Sequence, residues 1–391
     1  MYVFGQKKRI YLDTAAATMP SPRALRVYEA ARKHGGNPSS FHTEGRNAHE
    51  VLEAARERIA SLCEVQTDVV VFTGNATEAN ALGILGHLAA LNLAGRSYSD
   101  MHVLYAPGAH ASVVHNIEAL TARGVLLEPL TYKHGELDRE HLAKQITENT
   151  VLVAVPAVCG ETGLMYPVRD IRRVLDAQKS TAVLFVDACQ LPLVAPYELT
   201  RLGASMISLD ASKVCGVRGI GALIAPRRIA LAPLYFGGGQ ERGLRPSTPA
   251  PALAAAFAEA LTEAKETRDA FLSHTEALRR ELCAAVETIP NAVVNTGKAQ
   301  APHIVSLSFP GRDTDYLVAL LDEAGFAVST KSACETDSPG SRAVLAHTGN
   351  PKLAESTLRV SFGRNTTSRD IAAFSRALVE SVNFLDTAGI L

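Results

Sequence analysis

The 391 residues carry 39 Lys+Arg against 40 Asp+Glu, a formal net charge of -1 at pH 7, with 47% hydrophobic and 20% charged residues. This is ordinary globular composition, which excludes disorder and fibres, and the balanced charge gives no electrostatic case for nucleic acid or an anionic membrane. The chain is long for one core and suits a large domain plus a smaller one. In chain order, Leu52, Ala55, Ile59 and Leu62 recur at helical spacing in 47–63, and VVVF (69–72) reads as a buried strand. A helix over 77–94, the strand HVLY (102–105), a helix over 111–123 and the strand VLLEPL (125–130) follow. Next come a helix over 138–147, VLVAV (151–155), a helix over 168–178, AVLFV (182–186), MISL (206–209) and GALI (221–224). Strand–helix alternation over this length implies an α/β domain with a mostly parallel sheet. After about residue 250 the pattern changes to an Ala/Glu-rich helix (250–289), HIVSLSF (303–309), a helix in DTDYLVALLDEAG, LRVSF (358–362) and a last helix from Ser368. That order reads as a smaller α+β domain. The expected division is 14–250 for the large domain and 251–391, with 1–13, for the small one.

The N-terminal MYVFGQKKRIYLD lacks the apolar stretch of a signal peptide, and the apolar APALAAAFAEAL is interrupted by Glu259, so no membrane span is expected. Six cysteines without a C-x-x-C or a dense framework point to a reducing, cytoplasmic compartment.

Lys213 follows the apolar Met206-Ile207-Ser208-Leu209, and Asp187 ends the apolar run TAVLFVD. A charge at the end of a buried strand needs a partner. Open α/β sheets bind ligands beyond the carboxyl ends of their strands, where both residues fall. A lysine able to lose its proton and an aspartate that seeks a cation are what pyridoxal phosphate requires. The alternative is a surface lysine at a strand end. FTGNATEANALGI (72–84) offers a strand, a glycine turn and a helix start, whose free N–H groups and Thr77 hydroxyl suit a phosphate. Taken alone it reads rather as an ordinary capped turn, with Thr77 or Asn75 as cap. GVRGIG has the wrong spacing for a dinucleotide loop, and His110 and His115, five apart, do not make a metal pair on one helix face. No metal is expected. Cys334 lies in STKSACETDSPGS, a small, polar, turn-forming stretch where a thiol beside Lys331 would be partly ionised; an unremarkable loop cysteine is the alternative. The other five cysteines sit in apolar or helical contexts and read as packing residues. Arg359 in STLRVSFGRNTT suits bidentate carboxylate binding, with a structural salt bridge as alternative and Arg364 as competitor.

GNPSSFHTEGR (36–46), FTGNATEAN (72–80), VDACQ (186–190), GVRGIGAL (216–223), GGGQERGLRPST (237–248) and SAC (332–334) stand in a fixed order. In this the chain resembles the cysteine desulfurases of the NifS/IscS type, within the class V aminotransferases, over nearly its whole length. The resemblance implies the fold type I pyridoxal-phosphate-dependent transferase fold and a conversion of L-cysteine to L-alanine. Lys213 would then form the Schiff base with pyridoxal phosphate, Asp187 would pair with the pyridine nitrogen, and His110 would stack on the ring and assist proton transfer. Thr77, with Ala76 and neighbouring amides, would hold the phosphate. Gln190 would lie near the phenolic oxygen. Ser212 stands at a phosphate-binding position, and Thr248 would reach the phosphate in the partner subunit of a homodimer with shared sites. Arg359, helped by Arg364 or Asn37, would bind the substrate carboxylate. Cys334 would take the sulfur as a persulfide for an acceptor protein, in iron–sulfur cluster assembly or in thio-cofactor or tRNA modification.

Four departures stand out. Cys159-Gly160-Glu161 replaces the family's Asn-Asn-Glu, and Asp210-Ala211-Ser212-Lys213 replaces Ser-Gly-His-Lys. Ala109 stands where the family has glutamate, and Lys331 replaces a small residue. An anionic Asp210 beside a phosphate would repel it by roughly 1 kcal/mol in a well-solvated site. These departures leave open a related lyase, such as one acting on selenocysteine, and a cofactor-poor scaffold subunit.

Overall fold

The computed structural model describes residues 9–133, 136–330 and 340–388. Seven strands form the central sheet, in the order Val70–Thr73, Gly221–Ile224, Met206–Asp210, Val183–Asp187, Thr150–Pro156, His102–Tyr105 and Leu126–Pro129. Gly221–Ile224 runs antiparallel to both neighbours and every other pairing is parallel. The expectation of a mostly parallel α/β sheet therefore holds. The inner strands are near-continuous apolar runs because helices cover both faces of such a sheet: all seven residues of Thr150–Pro156 are buried, whereas the edge strand Leu126–Pro129 is half-buried or exposed.

This topology gathers the chemistry at one edge. Thr73, Tyr105, Pro156, Asp187 and Asp210 end their strands together. Gly221, the first residue of the antiparallel strand, pairs with both Thr73 and Asp210. A Cβ at Gly221 would lie 2.6 Å from the Asn75 carbonyl carbon and 2.9 Å from the Ala76 nitrogen. Glycine there lets the turn after Thr73 settle against the sheet.

The expected helices form with adjusted limits. Thr43–Cys63 starts earlier, capped by the His42 side chain. The helix expected over 77–94 is Ala76–Ala81, a π-turn over Leu82–Gly86, and His87–Leu93. The π-turn lies where Gly83 rests on the Phe185 ring, which a Cβ would approach to 2.5 Å. The helix expected over 111–123 is α-helical only for Ala111–Glu118 and tightens to a 3-10 turn over Ala119–Arg123. Pro22–Ala31, capped by Ser21, is a helix that the periodicity reading omitted.

A three-stranded antiparallel sheet, Val293–Asn295, Ile304–Ser308 and Thr357–Ser361, organises the C-terminal part. Ile10–Tyr11 pairs in parallel with Phe326–Ala327. Two apolar cores result, and the helix Pro251–Val286 serves both. It gives Ala254, Phe257, Leu261 and Phe271 to the core of the large sheet, and Leu278, Leu282 and Val286 to the other. Among the described residues no helix is long and apolar enough to cross a membrane.

Candidate active site

Beyond the strand ends lies a cavity of about 280 Å³. Its wall includes Ala76, Thr77, His110, Asp187, Gln190, Ser212, Lys213 and Arg359, so eight of the residues singled out in the sequence come together. Asn37 and Thr248 do not line it. Both are exposed, and Asn37 closes a local turn by accepting from the Ser39 N–H (3.0 Å). Arg364 pairs with Glu263 (2.6 Å) beside a separate cavity, which removes it as a competitor for the cleft. Cys334 and Lys331 lie outside the described residues.

Asp187 is buried at the end of its strand. One carboxylate oxygen accepts from the Asn80 side-chain amide (3.1 Å) and the other from the Cys189 N–H (3.1 Å). Both donors are neutral, so the charge remains uncompensated and suits a cationic group in the cleft. Asn80 is fully buried and was not noticed in the sequence. Its amide also donates to the Ser112 hydroxyl (2.8 Å), which lies 2.7 Å from His110 Nδ1. The Ser112 N–H donates to the same nitrogen (3.1 Å). Nδ1 is therefore an acceptor, and the proton of the neutral ring sits on Nε2.

Lys213 reaches back to the turn after Leu12, where its Nζ donates to the carbonyls of Ala15 (2.9 Å) and Ala16 (2.6 Å). Gln190 donates to the same Ala15 carbonyl (2.9 Å). A Cβ at Gly160 would meet only Gln190, at 3.6 Å. The Gly160 side of the wall is thus open by one side chain. Arg359, buried on its strand, donates to Asp13 (2.8 Å) and to the Gly160 carbonyl (3.0 Å), while its Nε has no partner among the described residues. That buried donor could serve a substrate carboxylate.

Two cysteines read as packing residues, Cys159 and Cys189, line the cleft. Burial, then the charge of Glu161, pushes the Cys159 thiol up; burial, then Asp187 and Asp210, does the same at Cys189. Both stay protonated and are poor nucleophiles.

The phosphate end is arranged differently. Asn75 caps the helix from Ala76, accepting from the Glu78 N–H (3.0 Å). Glu78 accepts from the Gly74 N–H (2.5 Å), the Tyr235 hydroxyl (2.7 Å) and Arg245 (2.9 Å). Burial would raise the Glu78 carboxyl, but Arg245, Tyr235 and the Gly74 N–H outweigh it and hold it below the usual carboxylate range. Asp210 takes the Ala76 N–H (2.7 Å), the Ser212 N–H (2.8 Å) and the Ser212 hydroxyl (2.6 Å). The cleft therefore fits pyridoxal phosphate at the ring end, where a buried carboxylate and a lysine face one cavity. At the other end, two of the donors expected to hold the phosphate already hold Asp210.

Residues 10–374 match the family described as aminotransferase class V. The chain is 31% identical over 391 residues to a mitosomal cysteine desulfurase of Trachipleistophora hominis, covering 96% of this chain and 87% of that one. Among solved structures, a NifS-like protein superposes with a TM-score of 0.89 at 28% identity, over 96% of this chain and 100% of the other. SspA in complex with cysteine superposes at 0.74 with 27% identity, over 90% and 98%.

Proposed function

The chain belongs to the class V aminotransferase family, and from that premise we propose that it is a cysteine desulfurase, converting L-cysteine to L-alanine and passing the sulfur on through Cys334. The observation that carries the reading is Asp187: a buried carboxylate with only neutral donors, opening on the cavity that Lys213 enters. Pyridoxal phosphate, when bound, supplies an electron-withdrawing ring that takes up the electron pair released at the substrate Cα. Asp187 and Lys213 would hold it, and Gln190 would lie at its phenolic edge. Lys213 would also move the proton at the substrate Cα. Its ammonium is held in the cleft by two backbone carbonyls and must give up at least one of them to do so. His110, oriented by Ser112, would present its Nε2 proton to the reacting side. Arg359 would bind the substrate carboxylate through its unpartnered Nε, with Asp13 keeping the guanidinium in plane.

Cys334 would attack the substrate sulfur. The sulfur–sulfur bond forms as the substrate Cβ–S bond breaks, and the electron pair of that bond, with a proton, ends on the methyl carbon of alanine. The persulfide then passes to an acceptor protein. The relatives' names support L-cysteine as the substrate. We read the enzyme as a cytoplasmic homodimer in which Thr248, exposed on one chain, serves the partner's site.

The test combines a visible spectrum with a sulfur-transfer assay on the protein reconstituted with pyridoxal phosphate. The wild type should show a visible band that responds to L-cysteine, and Cys334→Ala should keep the band while losing at least about 100-fold in sulfur transfer. Full sulfur transfer by Cys334→Ala would overturn the role of Cys334. Activity of that variant on selenocysteine alone would move the reading to a selenocysteine lyase. A protein with no visible band at any cofactor concentration would move it to a non-catalytic scaffold, the reading that Asp210 favours.

A further inference from the structure

We propose that the Asp210 carboxylate fills the seat of the cofactor phosphate, so that this chain holds pyridoxal by its ring and its lysine, with little grip on the phosphate, and exchanges cofactor readily. The proposal rests on the pyridoxal-phosphate reading given above.

Half of what Asp210 does is ordinary. One oxygen caps the short 3-10 turn Ala211–Lys213 by accepting from the Ser212 N–H and hydroxyl. A serine would do this as well. The other half is not local. The second oxygen crosses to the neighbouring loop and takes the Ala76 N–H, 134 residues away in sequence. The register at Gly221 enforces the meeting, because it sets Thr73 and Asp210 on either side of one residue.

Three donors of the turn are then taken up from within. The N–H groups of Gly74, Ala76 and Glu78 go to Glu78, Asp210 and Asn75 respectively. Two of these three acceptors are carboxylates, and Arg245, the basic side chain beside Gly74, is spent on Glu78 (2.9 Å). Asp210 itself is buried, and all three of its donors are neutral. A phosphate dianion entering here would have to turn Asp210 out of three hydrogen bonds or lie beside it against like-charge repulsion. The ring end imposes no such penalty, since Asp187 gains a partner when a pyridinium arrives.

The discriminating ligand is pyridoxal, which has the same ring and aldehyde without the phosphate. Full-length protein, freed of cofactor, is equilibrated by dialysis with pyridoxal phosphate and, separately, with pyridoxal. Wild type, Asp210→Ser, Asp210→Asn and Lys213→Ala are compared. In the wild type the two affinities should lie within about tenfold of each other; Asp210→Ser should tighten pyridoxal phosphate by about tenfold or more and leave pyridoxal within about twofold. Asp210→Asn removes the charge with almost no change of shape, and it decides the matter if the serine variant fails to fold. An unchanged phosphate preference in the folded variants, with binding still dependent on Lys213, would overturn the seat while leaving the cofactor reading standing. A wild-type preference for pyridoxal phosphate above about 100-fold would do the same. If no protein retains either aldehyde in a Lys213-dependent way, the cofactor reading fails and the seat fails with it.

Discussion

Asp187 and Asp210 end adjacent parallel strands, both buried and both on the same cavity, yet their surroundings give them opposite parts. Asp187 meets a backbone amide and the Asn80 side chain, and Asn80 leads on through Ser112 to His110. Its charge is left for something in the cleft. Asp210 turns instead into the backbone of the next loop and closes it. A carboxylate at a strand end is thus a site or a strut according to whether the groups facing it belong to the cavity or to the scaffold.

The largest test of this contrast is Asp187→Asn. It should weaken retention of the cofactor and lower turnover by about 100-fold, whereas a charge-removing change at Asp210 should tighten retention. Equal effects of the two variants on cofactor binding, measured by dialysis, would erase the distinction.

A second test asks how far the phosphate end is scaffold. Glu241, almost fully buried, pairs with Arg56 (2.7 Å) and accepts from the Phe72 N–H (2.8 Å), pinning the strand that leads into the turn. Glu241→Ala should cost about 2 kcal/mol, because the Phe72 N–H loses its acceptor and Arg56 keeps just Glu53 and the Val70 carbonyl as described partners. The urea midpoint should fall, while pyridoxal binding at the ring end by the folded protein stays unchanged.

Acid sensitivity is expected from a buried histidine. Burial pushes the His303 imidazole down to about 4, and neither ring nitrogen has a hydrogen-bond partner among the described residues. The folded value lies below the unfolded one, about 6.5, so the unfolded chain takes up the proton first. The stability that His303 contributes is full above about pH 6.5 and is lost as the pH falls toward 4, amounting to about 3 kcal/mol. In His303→Phe, which keeps a ring against Phe271, denaturant titrations should lose the His303 part of that slope and keep the part from His87 and His102, whose rings burial also pushes down. A slope that persists undiminished would remove His303 as its source.

The smallest expected effect is that of Ser112→Ala. Removing the hydroxyl between Asn80 and His110 should cost about 1 kcal/mol of stability and a few-fold in turnover, with the pH–rate profile displaced because His110 loses one of its restraints. A change in stability alone would make Ser112 structural.

The large sheet was legible because its strands are continuous apolar runs between helical periods, and Lys213, Asp187 and the 74–77 turn because charges or glycine punctuate those runs. Arg359 stood out as a charge inside a strand pattern and is buried there. Asn80 was missed because it follows a capped turn inside a helix; its one signal is a polar residue on the face that Ala79 and Leu82 bury. Ser112 and Asp13 gave no signal, since their roles depend on partners 32 and 346 residues away. The sequence showed Asp210 to be unusual. That its carboxylate would turn toward Ala76 depends on the register at Gly221, which no local pattern encodes.

The antiparallel strand Gly221–Ile224 carries a consequence for the birth of the protein. It lies between Val70–Thr73 and Met206–Asp210, so the early strand has no neighbour on that side until the chain has grown past Ile224. The roughly 150 residues between take on the order of ten seconds to synthesise. Through that interval the strand Val70–Thr73 and the turn after it have no sheet to settle against, so Gly221 and Asp210 reach the Ala76 amide together, late in synthesis.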